Sequence, residues 1–197
     1  MTEQIARYYD DNYDAFGNSV SSLGWYNKDT QFSRFDALAT IDNLSDKRIL
    51  DVGCGLGNLY EYLNEYYKDV DYLGIDISTK ILNQARVNFS DATFIKSDLL
   101  GFKPDCIFDY IFASGTFNIK VNDNYHYLDE MIKKMWELAK EGIAFNLLSA
   151  YAPDEHQDPF FFFYQPDVVL KLCLQYTSNV VFRHDYLVND MTFVMKK

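Results

Sequence analysis

One stretch constrains this chain more than any other: Ile49-Leu50-Asp51-Val52-Gly53-Cys54-Gly55-Leu56-Gly57-Asn58. An apolar strand runs into glycines at alternate positions and then into a helical pattern. Such a turn lets the backbone approach a ligand closely, and the helix behind it offers unpaired N–H groups. Nicotinamide and flavin enzymes use a related turn with the spacing GxGxxG. Here the third glycine is Gly57, and Asn58 stands where that pattern needs glycine. Asp51, two residues before the first glycine, is unfavourable beside a pyrophosphate but suits a cationic or hydroxyl-bearing ligand. The spacing therefore speaks against dinucleotides.

From Asp46 onward, short apolar runs alternate with helical patterns. Strands are expected at Arg48–Val52, Asp71–Ile75, Ala92–Lys96, Phe108–Ala113 and Gly142–Leu148, with helices at Asn58–Tyr66, Lys80–Asn88 and Asn124–Ala139. That alternation implies βαβ units and a parallel sheet. After a helix at Asp167–Leu174, the runs Asn179–His184 and Met191–Lys196 are joined by too few residues for a crossover, so they must form an antiparallel hairpin. The expected fold is α/β: a doubly wound, mostly parallel seven-stranded sheet with its last strand antiparallel. Residues 1–44 carry two helix-like stretches, Glu3–Tyr13 and Gln31–Ile41, and read as a small N-terminal helical cap on a core of residues 45–197, in one domain.

Composition narrows the classes. With 18 Lys+Arg against 29 Asp+Glu the 197-residue chain has a net charge of −11, and no more than two basic residues adjoin. A surface of that sign repels phosphate backbones, so no nucleic-acid partner is expected. The cysteines, Cys54, Cys106 and Cys173, are odd in number and widely spaced, which argues against a disulfide framework or a zinc site. They read as reduced thiols. No uncharged apolar segment approaches the ~20 residues of a membrane span, and a soluble, cytoplasmic protein without a membrane partner is expected.

Tyr72-Leu73-Gly74-Ile75-Asp76-Ile77-Ser78 places a carboxylate at the end of the second strand, where it can accept from both hydroxyls of a ribose. Ser97-Asp98-Leu99 ends the third strand in the same way. Three carboxylates at strand tips could instead hold magnesium, but two of them read better as acceptors for a ribose and an exocyclic amine, and no metal is expected.

With these motifs in order, the chain from about Asp46 to Lys197 resembles the class I S-adenosyl-L-methionine-dependent methyltransferases. The resemblance implies S-adenosyl-L-methionine as cofactor and S-adenosyl-L-homocysteine as product. It implies that Asp51, Gly53, Cys54, Gly55, Leu56 and Asn58 surround the methionine part and that Asp76 holds the ribose hydroxyls. Asp98 would meet the adenine amine beside Ser97, with Ile77 and Leu99 against the ring faces, and Ala113-Ser114-Gly115 would line the reacting sulfonium. Through Leu23-Gly24-Trp25, Phe112-Ala113-Ser114-Gly115 and Arg183-His184-Asp185-Tyr186-Leu187 the chain also resembles a small bacterial subgroup of unsettled substrate. Enzymes of the family that methylate nucleic-acid bases carry an Asn/Asp-Pro-Pro-aromatic tetrad where this chain has Ser114-Gly115-Thr116-Phe117, which disfavours base methylation.

Outside the motifs several residues have two readings. Arg34 could clamp the cofactor carboxylate bidentately or make a surface ion pair with neighbours such as Asp36. Trp25 and Tyr26 could be lid aromatics touching substrate or filler between cap and sheet. His184 could take a proton from a substrate or be a hairpin histidine with a local partner. Phe117 and Asn118 follow the fourth strand directly, the best position for meeting substrate. The run Phe160–Tyr164 is too apolar to be all exposed and is expected to pack. The expected activity is methyl transfer to an O or N atom of a small molecule. A protein or peptide methyltransferase and a noncatalytic adenosylmethionine-binding module are the alternatives.

Overall fold

A computed structural model describes residues 2–197. The seven strands are β1 (Arg48–Val52), β2 (Asp71–Asp76), β3 (Thr93–Lys96), β4 (Phe108–Ser114), β5 (Ala139–Leu148), β6 (Val180–Arg183) and β7 (Asp190–Lys196). They form one sheet in the order β3-β2-β1-β4-β5-β7-β6. All neighbours pair in parallel except β7, which runs antiparallel to both β5 and β6. The reversed strand is thus inserted inside the sheet and β6 takes the edge. Burial explains the choice: six of the seven β7 residues are buried, whereas β6 exposes Val181 and Phe182.

Side chains alternate between two apolar layers, as the pleat requires. Leu50, Val52, Ile111, Ile143 and Phe193 pack against helices α5 (Asn124–Leu138) and α6 (Pro166–Cys173). On the opposite face Ile49, Tyr72, Tyr110, Ala144 and Val194 meet α2 (Lys28–Ala39), α3 (Asn58–Tyr66) and α4 (Thr79–Asn88). Asp51, Asn146 and Thr192 lie buried between these apolar positions.

The N-terminal segment divides in two. Helix α1 (Thr2–Phe16) has no fully buried residue and is tethered to α4 by polar contacts: Ser78 Oγ donates to Asp10, Tyr13 Oη to Gln84 at 2.8 Å, and Lys80 Nζ to Asp14 at 2.6 Å. Helix α2, read from the sequence as part of the same cap, belongs to the core layer behind the sheet. Its Phe35 and Leu38 are buried against Ile49, Tyr62 and Tyr110. Asn27 caps its start by accepting the Thr30 N–H at 2.8 Å.

The aromatic run after β5 packs as expected. Tyr164 is fully buried and donates to the Phe117 carbonyl at 2.7 Å, while Phe160 stacks on Tyr8 of α1 with ring centroids 4.4 Å apart. No helix among the described residues is long and apolar enough to cross a membrane.

Candidate active site

The tips of β1, β2, β3 and β4 open together into one cavity, because parallel strands present their C-terminal ends to the same edge of the sheet. Residues Asp51–Gly55 and Asn58 form one side, Asp76 and Ile77 the next, Ser97–Leu99 the third, and Ser114–Phe117 the fourth. From above, α1 contributes Thr2, Ile5 and Tyr9, spaced as one helix face, and the segment leading into α2 contributes Leu23, Trp25 and Gln31.

The glycine turn is built for close packing. Gly53 has φ +73°, and a Cβ there would fall 2.5 Å from Thr116 Oγ1, which donates to the Val52 carbonyl at 2.8 Å. Only glycine fits between the β1 and β4 tips. Asp76 receives one backbone N–H on each oxygen, from Gly55 at 3.0 Å and Ser78 at 2.8 Å. The carboxylate is therefore fixed in orientation while retaining lone pairs for a further donor. Burial pushes its pKa up, and the N–H groups of Ser78, Gly55 and Ile77 pull it back. Asp51 accepts from Tyr72 Oη at 2.7 Å. Burial raises its pKa to about 7, with the Tyr72 bond opposing and the Asp76 charge adding.

Asp98 also lies on the wall, with Oδ1 accepting the Gly101 N–H at 2.7 Å. Gln31 Oε1 and Asn58 Oδ1 are buried without a hydrogen-bond partner among the described residues, and both residues line the cavity. A buried amide left unpaired costs about 1–3 kcal/mol, so these groups suit a ligand that brings polar atoms. Together with oriented carboxylates and a glycine turn on adjacent strand tips, this donor and acceptor set fits a nucleoside amino acid such as S-adenosylmethionine.

A model of the family described as "Methyltransferase domain" matches residues 49–142. A protein of Mycobacterium tuberculosis named as a methyltransferase is 27% identical over 157 residues, covering 76% of this chain and 92% of the relative. A trans-aconitate 2-methyltransferase of Afipia carboxidovorans is 39% identical over 82 residues; the match spans 42% of this chain and only 32% of that relative's length. Among solved structures, magnesium protoporphyrin IX methyltransferase from Synechocystis, with SAH bound, superposes with a TM-score of 0.64 at 16% identity, covering 86% of this chain and 82% of that one. Residues 49–142 thus match a methyltransferase domain, and the chain shares the fold of S-adenosylmethionine-dependent methyltransferases.

Most residues named from the sequence converge on this methyltransferase cavity: Asp51, Gly53, Cys54, Gly55, Asn58, Asp76, Ile77, Ser97, Asp98, Leu99, Ser114, Gly115, Phe117 and Trp25 are all on its wall. Others are not. Leu56 and Ala113 are buried beneath the wall, the latter paired with Val52 and Phe145 inside the sheet. Tyr26 is 91% exposed and points into solvent beside the turned-in Trp25. Arg34 does not reach the cavity, because Asp190 takes its guanidinium in a buried ion pair at 2.6 Å. Asn118 is likewise committed: its Oδ1 accepts the Leu148 N–H at 3.0 Å, tying the loop after β4 to the end of β5. His184 follows β6 at the far edge of the sheet, two strands beyond β5, and does not line the methyltransferase cavity.

The sequence reading missed Tyr9, Gln31, Thr116 and Tyr127, all on the wall. Thr116 had a signal, since it follows Gly115 directly. Tyr9 and Gln31 had none, because each reaches the site only through the way its helix docks.

Proposed function

We propose that this methyltransferase modifies an oxygen or nitrogen atom of a small molecule that is itself uncharged or cationic. The observation that carries the proposal is the cavity wall. It includes Asp51, Asp76 and Asp98, contains no Lys, Arg or His, and is covered by α1 and Trp25 instead of lying open as a shallow cleft. A covered cavity suits a small acceptor better than a polypeptide, and a wall without Lys, Arg or His offers no cation to pair with a polyanion.

Bound S-adenosylmethionine supplies an electrophilic methyl group on a sulfonium. Within the chain, Asp76 would accept from the ribose hydroxyls, and Ser97, Asp98 and Leu99 would receive the adenine. The turn Asp51–Asn58 would hold the amino-acid end, where the carboxylate of Asp51 meets a cationic ammonium. Gly115, Thr116 and Phe117 would shape the space next to the reacting centre. Catalysis then rests on alignment and exclusion of water, which can supply roughly 7–11 kcal/mol in favourable cases. With Asn118 and His184 off the cavity wall, neither is assigned as a base.

Two of the three proteins named above act on trans-aconitate or magnesium protoporphyrin IX by their names, which supports a small-molecule acceptor. Trans-aconitate itself is a tricarboxylate, a poor match to this wall. Calorimetric titration with S-adenosylmethionine and S-adenosylhomocysteine should show binding to one site. Transfer of labelled methyl to a panel sorted by charge should then occur with neutral or cationic acceptors; methylation of trans-aconitate would overturn the charge assignment.

A further inference from the structure

Trp25 reaches the cavity from the segment between α1 and α2, outside any strand or helix. The next residue, Tyr26, is 91% exposed, so the backbone there does not by itself bury a ring. Contacts from distant elements hold the indole. Its edge rests on Gly115 at the β4 tip, where φ is +68° and a Cβ would fall 2.3 Å from Cη2 and 2.5 Å from Cζ2. Gly115 is fixed in turn by donating its N–H to Asn146 Oδ1 at 2.8 Å. The Arg34 guanidinium stacks over the indole, 4.3 Å from the ring centroid.

Arg34 has little freedom left. Nε and Nη2 both reach Asp190 Oδ2, at 2.8 and 2.6 Å, and Nη1 donates to the Thr30 carbonyl at 2.8 Å. The other oxygen of Asp190 accepts from Tyr186 Oη at 3.1 Å, and that hydroxyl also meets Thr192 Oγ1 at 2.7 Å. Arg34 is 5% exposed and Asp190 1%. A buried ion pair is weak evidence for stability, since apolar residues of similar volume often replace one without loss. What it does well is fix the plane of a guanidinium, and a fixed cation draws an indole onto its face.

We infer that the Arg34–Asp190 pair is a positioning device for Trp25, holding the indole as the cavity wall beside the β4 tip and so setting the shape of acceptor the site admits. The inference rests on the methyl-transfer reading of the cavity given above. The linked contacts run from β7 through α2 and the segment just before it to β4, joining three regions distant in sequence.

The test uses the full chain with Trp136→Phe, which leaves Trp25 as its one tryptophan. Acrylamide quenching reports shielding of Trp25, and calorimetry reports S-adenosylhomocysteine binding. The double variant Arg34→Met with Asp190→Leu removes both charges while keeping volume. It is expected to unfold cooperatively and to bind S-adenosylhomocysteine within about threefold of the parent, whereas the Trp25 quenching constant rises about twofold or more, because only contacting groups couple strongly. An equally shielded Trp25 in that variant would overturn the inference. Should the double variant not fold, Asp190→Asn, which keeps shape, carries the same expectation, and an unchanged quenching constant there is equally decisive. Arg34→Lys, which keeps charge without the planar fork, should restore only part of the shielding. If the parent protein fails to bind S-adenosylhomocysteine, the cofactor reading falls, while the quenching comparison still decides the role of the pair.

Discussion

Helices α1 and α2 lie in one N-terminal segment that the sequence presents as a single cap, yet they are held by different physics. Leu38 of α2 is 0% exposed, within an apolar layer shared with the sheet, whereas α1 has no fully buried residue and is attached through hydroxyls, carboxylates and one aromatic stack. Apolar burial is worth about 25 cal/mol per Å², while exposed polar pairs contribute about 0–1 kcal/mol. The difference teaches that α2 is a fixed part of the scaffold from which Gln31 and Arg34 are aimed, and that α1 is a cover laid over the site at small energetic cost.

The largest effect expected from probing this contrast is on α2. Leu38→Ala should lower unfolding free energy by about 2–5 kcal/mol in a denaturant titration, whereas Ile5→Ala on α1 should cost well under half as much. Equal losses would break the contrast. Next in size is the cavity floor: Asp76→Ala removes two charge-assisted acceptors and should weaken S-adenosylhomocysteine binding about 100-fold by calorimetry, with a much smaller loss from Tyr9→Phe on the cover.

The pH dependence sharpens the same point. The folded pKa of Asp51, about 7, lies above its ordinary value of 3.8. Its contribution to stability is therefore fully present below about pH 4 and is lost as pH rises through about 7. Asp51→Asn should lack this fall, so its thermal midpoint should gain on the parent between acid and pH 8. Binding of S-adenosylmethionine should strengthen over the same interval as the carboxylate ionises, and Asn should make it flat. The smallest effect is at the α1 tether. Lys80 and Asp14 are 47% and 60% exposed, and Asp14→Ala should shift stability by less than about 1 kcal/mol. Hydrogen exchange of α1 should nevertheless slow when S-adenosylhomocysteine is bound, because the cover then rests on ligand as well as on α4.

Much of the scaffold was legible because its signals are local. Strand β1 and helix α3 occupy the expected residues, and the glycine turn between them requires the conformations observed, such as φ +73° at Gly53. Asp76 and Asp98 lie at strand tips because apolar runs end there. The misassigned residues share a different property. Arg34 is bound by Asp190, 156 positions away, and Asn118 by the end of β5. Nothing in a local window distinguishes an arginine that will meet a ligand from one that will meet a distant aspartate. Tyr26 and Trp25 make the same point, since adjacent aromatics of similar character face opposite environments.

The residue order alone determined the alternation of strands and helices, the hairpin at the end, and the acidic, glycine-bearing strand tips. Periodicity, turn chemistry and charge act over a few residues and are written in that order. Only the tertiary structure decided that β7 enters the sheet between β5 and β6, that α2 joins the core while α1 covers the cavity, and that Arg34 pairs with Asp190 and stacks on Trp25. Those outcomes depend on which apolar faces bury each other and which buried charges find partners, and such pairings exist only once distant segments are brought into contact.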